Sequence, residues 1–61
     1  SAYLQQIRLE RAEHLLISTD KSIEEIADSV GYHNKGYFYR IFIERNNCTP
    51  AQYRKKRQER L

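Results

Sequence analysis

Cysteine is nearly missing from this chain of 61 residues: Cys48 stands alone. An internal disulfide is therefore excluded, nothing points to an oxidising compartment, and a reduced, cytoplasmic setting is the expectation. No apolar run approaches the roughly 18 residues that a membrane span requires, and no charged-then-apolar leader is present, so no membrane partner is expected. Glycine occurs twice and proline once, with no glycine-rich phosphate loop. His14, His33 and Cys48 lack metal-ligand spacing and read as ordinary surface or half-buried residues. No nucleophile has a base placed near it by an identifiable motif. A chain this short also lies below the size at which an enzyme usually encloses a pocket. The expectation is a non-enzyme that needs no cofactor and no metal.

What is present is enough periodic hydrophobicity to fold and enough charge to remain soluble, with 39% apolar and 31% charged residues. The net charge of +3 is unevenly placed. Residues 1–32 hold three basic side chains against six acidic ones, a net −3, whereas residues 33–61 hold eight against two, a net +6. The C-terminal half is the half that would face a polyanion.

Local signals predict four helices. Residues 2–17 lack Gly and Pro and favour a helix of about four turns. On it Leu9, Ala12, Leu15 and Leu16 share one broad face, while Tyr3, Ile7 and His14 share another. A helix apolar on two sides packs against two bodies, and the remaining chain can cover only one of them, which implies an absent partner. Ser22-Ile23-Glu24-Glu25 fits a capping box that starts a second helix over 22–30, closed by Gly31. Asn34 suits the cap of a third helix over 35–46, and Asn47 can take the left-handed conformation that ends it. Thr49-Pro50-Ala51-Gln52 repeats the start signal for a helix over 50–60 that rests on the domain through Tyr53. Leu16, Ile26, Ala27, Val30, Phe38, Phe42 and Tyr53 are the expected core.

Ala27 and Gly31, four residues apart, supply a small crossing point and a turn with positive φ. Ile23, Ile26 and Val30 precede that turn and Phe38, Ile41 and Phe42 follow it, the arrangement of a helix-turn-helix over 22–46 whose second helix enters a DNA major groove. In that helix Gly36, Arg40 and Ile43 lie opposite the core side. Arg40 can pair with guanine or with a phosphate, and that reading is preferred to a solvated arginine or an ion pair with Glu44. Asn34, Lys35 and Gly36 sit at the end that usually enters the groove, where Gly36 would permit close backbone approach. Tyr37 and Tyr39 each suit a phosphate or a thymine methyl, and equally suit half-buried packing against a neighbouring helix. Arg54 and Lys55, with Lys56 and Arg57, form a basic run expected to stay solvated and to grip phosphate without sequence preference.

With these residues in place, the chain resembles the AraC/XylS family of bacterial transcription regulators. The blocks that carry the resemblance are Ile7-Arg8-Leu9-Glu10-Arg11-Ala12 with Leu15-Leu16, Ser22-Ile23-Glu24-Glu25-Ile26-Ala27 with Val30-Gly31-Tyr32, Tyr37-Phe38-Tyr39-Arg40-Ile41-Phe42, and Thr49-Pro50-Ala51-Gln52-Tyr53-Arg54. The resemblance implies an all-α, homeodomain-like fold and a partial DNA-binding domain over 1–61. Residues 1–17 would be the joining helix, 22–46 the second of two helix-turn-helix units, and 50–60 a C-terminal helix. It implies double-stranded DNA as partner, with the first helix-turn-helix unit and a sensing, dimerisation or receiver module elsewhere in the parent chain. By the same resemblance Lys35, Gly36 and Arg40 align with positions that approach bases. Asn47 stands where the family often has glycine, and Gly36 where a polar side chain is frequent. A different class of function, a helical module docking on a protein such as an RNA polymerase subunit, fits the same fold.

Overall fold

The computed structural model describes residues 2–58. Four helices follow one another: α1 (Ala2–Ser18), α2 (Ile23–Ser29), α3 (Lys35–Asn46) and α4 (Pro50–Gln58). No strand occurs among the described residues. The expected starts and stops are met within a residue or two, while Ser1 and the expected extension of α4 through Glu59 and Arg60 lie outside the described residues.

The reason for that agreement is that both ends of α2, both ends of α3 and the start of α4 are held by caps written in the sequence. Ser22 Oγ accepts from the Glu25 N–H at 3.1 Å and Glu25 Oε1 accepts from the Ser22 N–H at 2.9 Å, a reciprocal box that satisfies two orphan donors at the start of α2. Thr49 and Gln52 repeat this at α4, at 3.1 and 3.0 Å, with Pro50 buried at the first helical position. At the end of α2, Gly31 takes φ +97°, its N–H donates to the Asp28 carbonyl, and the Tyr32 N–H donates to the Ala27 carbonyl at 2.8 Å. That left-handed close satisfies two carbonyls the helix leaves open and turns the chain sharply into α3. Asn47 closes α3 at φ 60°, its N–H donating to the Ile43 carbonyl at 2.7 Å.

The core is a single cluster in which Ala12, Leu16, Ile26, Ala27, Phe38 and Phe42 are wholly buried and Leu9, Val30, Tyr32 and Ile41 nearly so. Ala27 has no side chain beyond its methyl to hold α2 off its neighbours. Phe38 and Phe42 follow one another along the inner side of α3, ring centroids 5.8 Å apart and planes tilted by 48°. Tyr53 departs from expectation, being half-buried rather than enclosed. Its ring meets Phe42 edge-on at 5.5 Å while the Arg57 guanidinium covers it at 5.1 Å, because α4 brings no second large apolar residue to close over that side.

Candidate nucleic-acid interface

The outward face of α3 begins at the cap. Asn34 Oδ1 accepts from the Tyr37 N–H at 3.0 Å, so Asn34 starts the helix as its composition suggests. Gly36 is exposed, and a Cβ placed there would meet only Asn34 Oδ1, at an ordinary contact distance of 3.5 Å. The fold therefore does not require glycine at this position. One turn later Arg40 leaves the protein with its side chain 75% exposed, opposite Phe38 and Phe42. Its Nε lies 3.7 Å from Glu44 Oε2, an ion pair one turn apart and too long for a hydrogen bond. Ile43 continues the same face, 40% exposed.

The two tyrosines separate. Tyr37 stays outside, its ring 5.9 Å from that of Tyr32 and its hydroxyl accepting from Gln5 Nε2 at 3.1 Å. Tyr39 is half-buried and sits edge-on to Phe38, the packing role that its polar-tipped ring equally allowed.

The basic residues also separate, and here local sequence is a poor guide. The basic run predicts an Arg54 as solvated as its neighbours. Instead it is half-buried, and its guanidinium donates to the carbonyls of Leu16 (2.8 Å), Thr19 (3.1 Å) and Lys21 (2.8 Å). Helix α1 ends with no basic residue in its last turn, so the open carbonyl of Leu16, with those of Thr19 and Lys21 in the loop that follows, takes a cation from α4. Arg45 is likewise turned in, with Nε 2.6 Å from Glu13 Oε2 and Nη2 3.7 Å from Glu10. Lys35 reaches back across the turn to Asp28 Oδ1 at 2.7 Å. The hydrogen bond from Lys35 is the largest cause holding the Asp28 carboxyl below its ordinary value; desolvation opposes it, and the Lys35 charge and His33 reinforce it. Lys55, Lys56 and Arg57 remain exposed.

The structure thus leaves Asn34, Gly36, Tyr37 and Arg40 exposed over the first turns of α3, turns Lys35 back to Asp28, holds Tyr39 against the core, and separates Arg54 from Lys55. The roles of Arg45 and Arg54 had no local signal, because their acidic or carbonyl partners lie 32 to 38 residues away in the chain. No described helix is long and apolar enough to cross a membrane.

Comparison with known proteins follows the same line. A family model described as "Helix-turn-helix domain" matches residues 1–56. The chain is 43% identical over 54 residues to the HTH-type transcriptional activator RhaR of Mannheimia succiniciproducens, covering 88% of this chain and 20% of that protein. It is 47% identical over 47 residues to the xylose operon regulatory protein of Escherichia coli K12, covering 77% of this chain and 12% of that one. Among solved structures, the C-terminal domain of the two-component response regulator yesN from Fusobacterium nucleatum superposes with a TM-score of 0.83 at 42% identity, covering 87% of this chain and 52% of that one. The chain spans about a fifth or less of the length of these curated relatives.

Proposed function

The chain belongs to the AraC/XylS-type helix-turn-helix family of DNA-binding transcription regulators, and we propose that it forms the second helix-turn-helix unit of such a regulator, with α3 lying in the major groove. The observation that carries this reading is the face of α3 opposite Phe38 and Phe42, where Arg40 projects into solvent one turn beyond a glycine that the fold does not need. Arg40 reads a base edge, a guanine by its bidentate fork. Gly36 lets the first turn approach the sugar-phosphate backbone, with Asn34 and Tyr37 at its flank. Lys55, with Lys56 and Arg57, neutralises phosphates and adds affinity without preference. Arg54 is given a different part: it braces α1 and so fixes the angle at which α4 presents its basic run.

Tyr3, Ile7 and His14 are all exposed on α1. In this reading they seat the first helix-turn-helix unit, and a sensing, dimerisation or receiver module belongs to the rest of a chain several times longer. One helix contacts few bases, so residues 1–61 alone should bind weakly and with little selectivity. The test is fluorescence anisotropy with random duplex DNA across a salt series. Binding that weakens as salt rises, with log K linear in log salt, supports the reading. Absence of binding at low salt would move the function to protein docking, with an RNA polymerase subunit as the first partner to try.

A further inference from the structure

Two side chains and a backbone carbonyl converge with one carboxylate at the turn between α2 and α3. Lys35 Nζ donates to Asp28 Oδ1 at 2.7 Å and to the His33 carbonyl at 3.3 Å, and His33 Nδ1 stands 3.3 Å from the same Asp28 oxygen. Asp28 lies near the end of α2 and Lys35 is the first residue of α3, so the link bridges the turn. The turn does not depend on it. Gly31 and Tyr32 close α2 through their backbone N–H groups, and Asn34 caps α3 by itself. Both partners are partly exposed, Asp28 by about half and Lys35 by a third, where an ion pair contributes little to stability. What the link decides is where the ammonium rests.

We propose that Asp28 is a positioning residue for Lys35, latching its ammonium onto α2 in the free domain so that Lys35 joins a DNA contact only when a phosphate or base acceptor displaces the carboxylate. This rests on the reading of α3 as the DNA-facing helix. The observation behind it is the short contact itself: two of the three ammonium donors are already engaged, one by a full negative charge. The latch withholds one cation from casual contact with any duplex. A weak surface pair is the suitable strength for this, since phosphate can compete with it.

The test compares wild type, Asp28→Ala, Asp28→Glu, Lys35→Ala and the double variant Asp28→Ala/Lys35→Ala on random duplex DNA across a salt series, with thermal melts to establish that each folds. Asp28→Ala should bind random DNA several-fold tighter at low salt and steepen the slope of log K against log salt by about 0.9, the value for one added phosphate contact. Asp28→Glu, which restores a carboxylate, should fall back toward wild type. Lys35→Ala should abolish the gain, leaving the double variant equal to Lys35→Ala alone. A gain that persists without Lys35 would show a general charge effect and overturn the latch, as would an Asp28→Ala variant indistinguishable from wild type. An NMR titration of the Asp28 carboxyl reads the latch without DNA: its midpoint should rise in Lys35→Ala, and an unchanged midpoint overturns the proposal. A wild type that binds no duplex at low salt overturns the DNA reading and the role of Asp28 with it, whereas binding with an unchanged slope in Asp28→Ala overturns the latch alone.

Discussion

Helices α3 and α4 use their arginines in matching ways. Each turns one of them back toward α1 and its end: Arg45 of α3 reaches Glu13 and Glu10 on α1, Arg54 of α4 reaches the carbonyl of Leu16 in the last turn of α1 and those of Thr19 and Lys21 in the loop after it, and each helix also sends basic charge outward. The outward sets differ. On α3 a single arginine stands beside a glycine, on a helix anchored by two buried phenylalanines. On α4 three consecutive basic residues are exposed on a helix anchored by a half-buried tyrosine. One projecting fork on a helix held by buried rings is suited to discrimination, and a strip of adjacent exposed cations to attraction. Positive charge therefore says little until its partners are known, and the same residue type is a brace at 45 and 54 and a candidate contact at 40.

The contrast can be broken most severely from inside α3. Phe42→Ala removes a wholly buried ring that touches both Phe38 and Tyr53. Its expected cost of about 3 to 5 kcal/mol is comparable with the whole stability of a domain this small. Circular dichroism should show a chain largely unfolded at room temperature. Arg40→Ala, on the opposite side of the same helix, should melt within a few degrees of wild type.

Arg40→Ala should show its effect in binding instead. On the best site selected from a random pool it should lose roughly 1 to 3 kcal/mol and relax preference at one base position, with little change on random DNA. An equal loss on every sequence would make Arg40 a backbone contact, and the distinction drawn between α3 and α4 would disappear.

On α4 the neighbours Arg54 and Lys55 should separate cleanly. Arg54→Ala leaves three carbonyls without their donor and should lower stability by about 1 to 2 kcal/mol, since water can replace part of what is lost. Lys55→Ala should leave the melt unchanged and reduce the salt slope on random and selected DNA alike by about 0.9. If Arg54→Ala were thermally silent and Lys55→Ala destabilising, the two roles would have to be exchanged.

Most of the architecture was legible because its boundaries are local. Ser22 with Glu25, Thr49 with Gln52, Gly31, Asn34 and Asn47 each act within a few residues, and all take the capping roles that their spacing implies. The inner face of α3 followed from periodicity for the same reason. Arg54 was not legible: in sequence it is the first of four like residues, and only the return of α4 across the end of α1 distinguishes it. Asp28 with Lys35 and Glu13 with Arg45 escaped notice similarly, since each pair is made by a turn or a crossing rather than by helical spacing. Tyr53 was legible as an anchor but not in its degree of burial, which depends on how little else α4 brings to the core.

The smallest effect sharpens the comparison furthest, because it asks whether α3 alone comes close to DNA. At Gly36 the backbone is outside the left-handed region and a methyl group would fit beside Asn34 Oδ1. Gly36→Ala should therefore raise stability by about 0.5 kcal/mol through the loss of freedom in the unfolded chain, a shift of about 2 to 4 °C in a domain of this size. If the first turn of α3 lies against the DNA backbone, the same methyl stands between the two surfaces, and affinity should fall while the melting temperature rises. Asn47→Gly is the matching control at the other end of the helix. It relieves the strain of an asparagine held at φ 60° and should add a similar increment of stability, with DNA affinity unchanged. Opposite signs for Gly36→Ala in the melt and in the binding curve, beside a control that moves only the melt, would place the close approach at the start of α3. A Gly36→Ala chain that binds as well as wild type would mean that this glycine serves neither the fold nor the contact, and that Arg40 reaches DNA from a helix standing farther off.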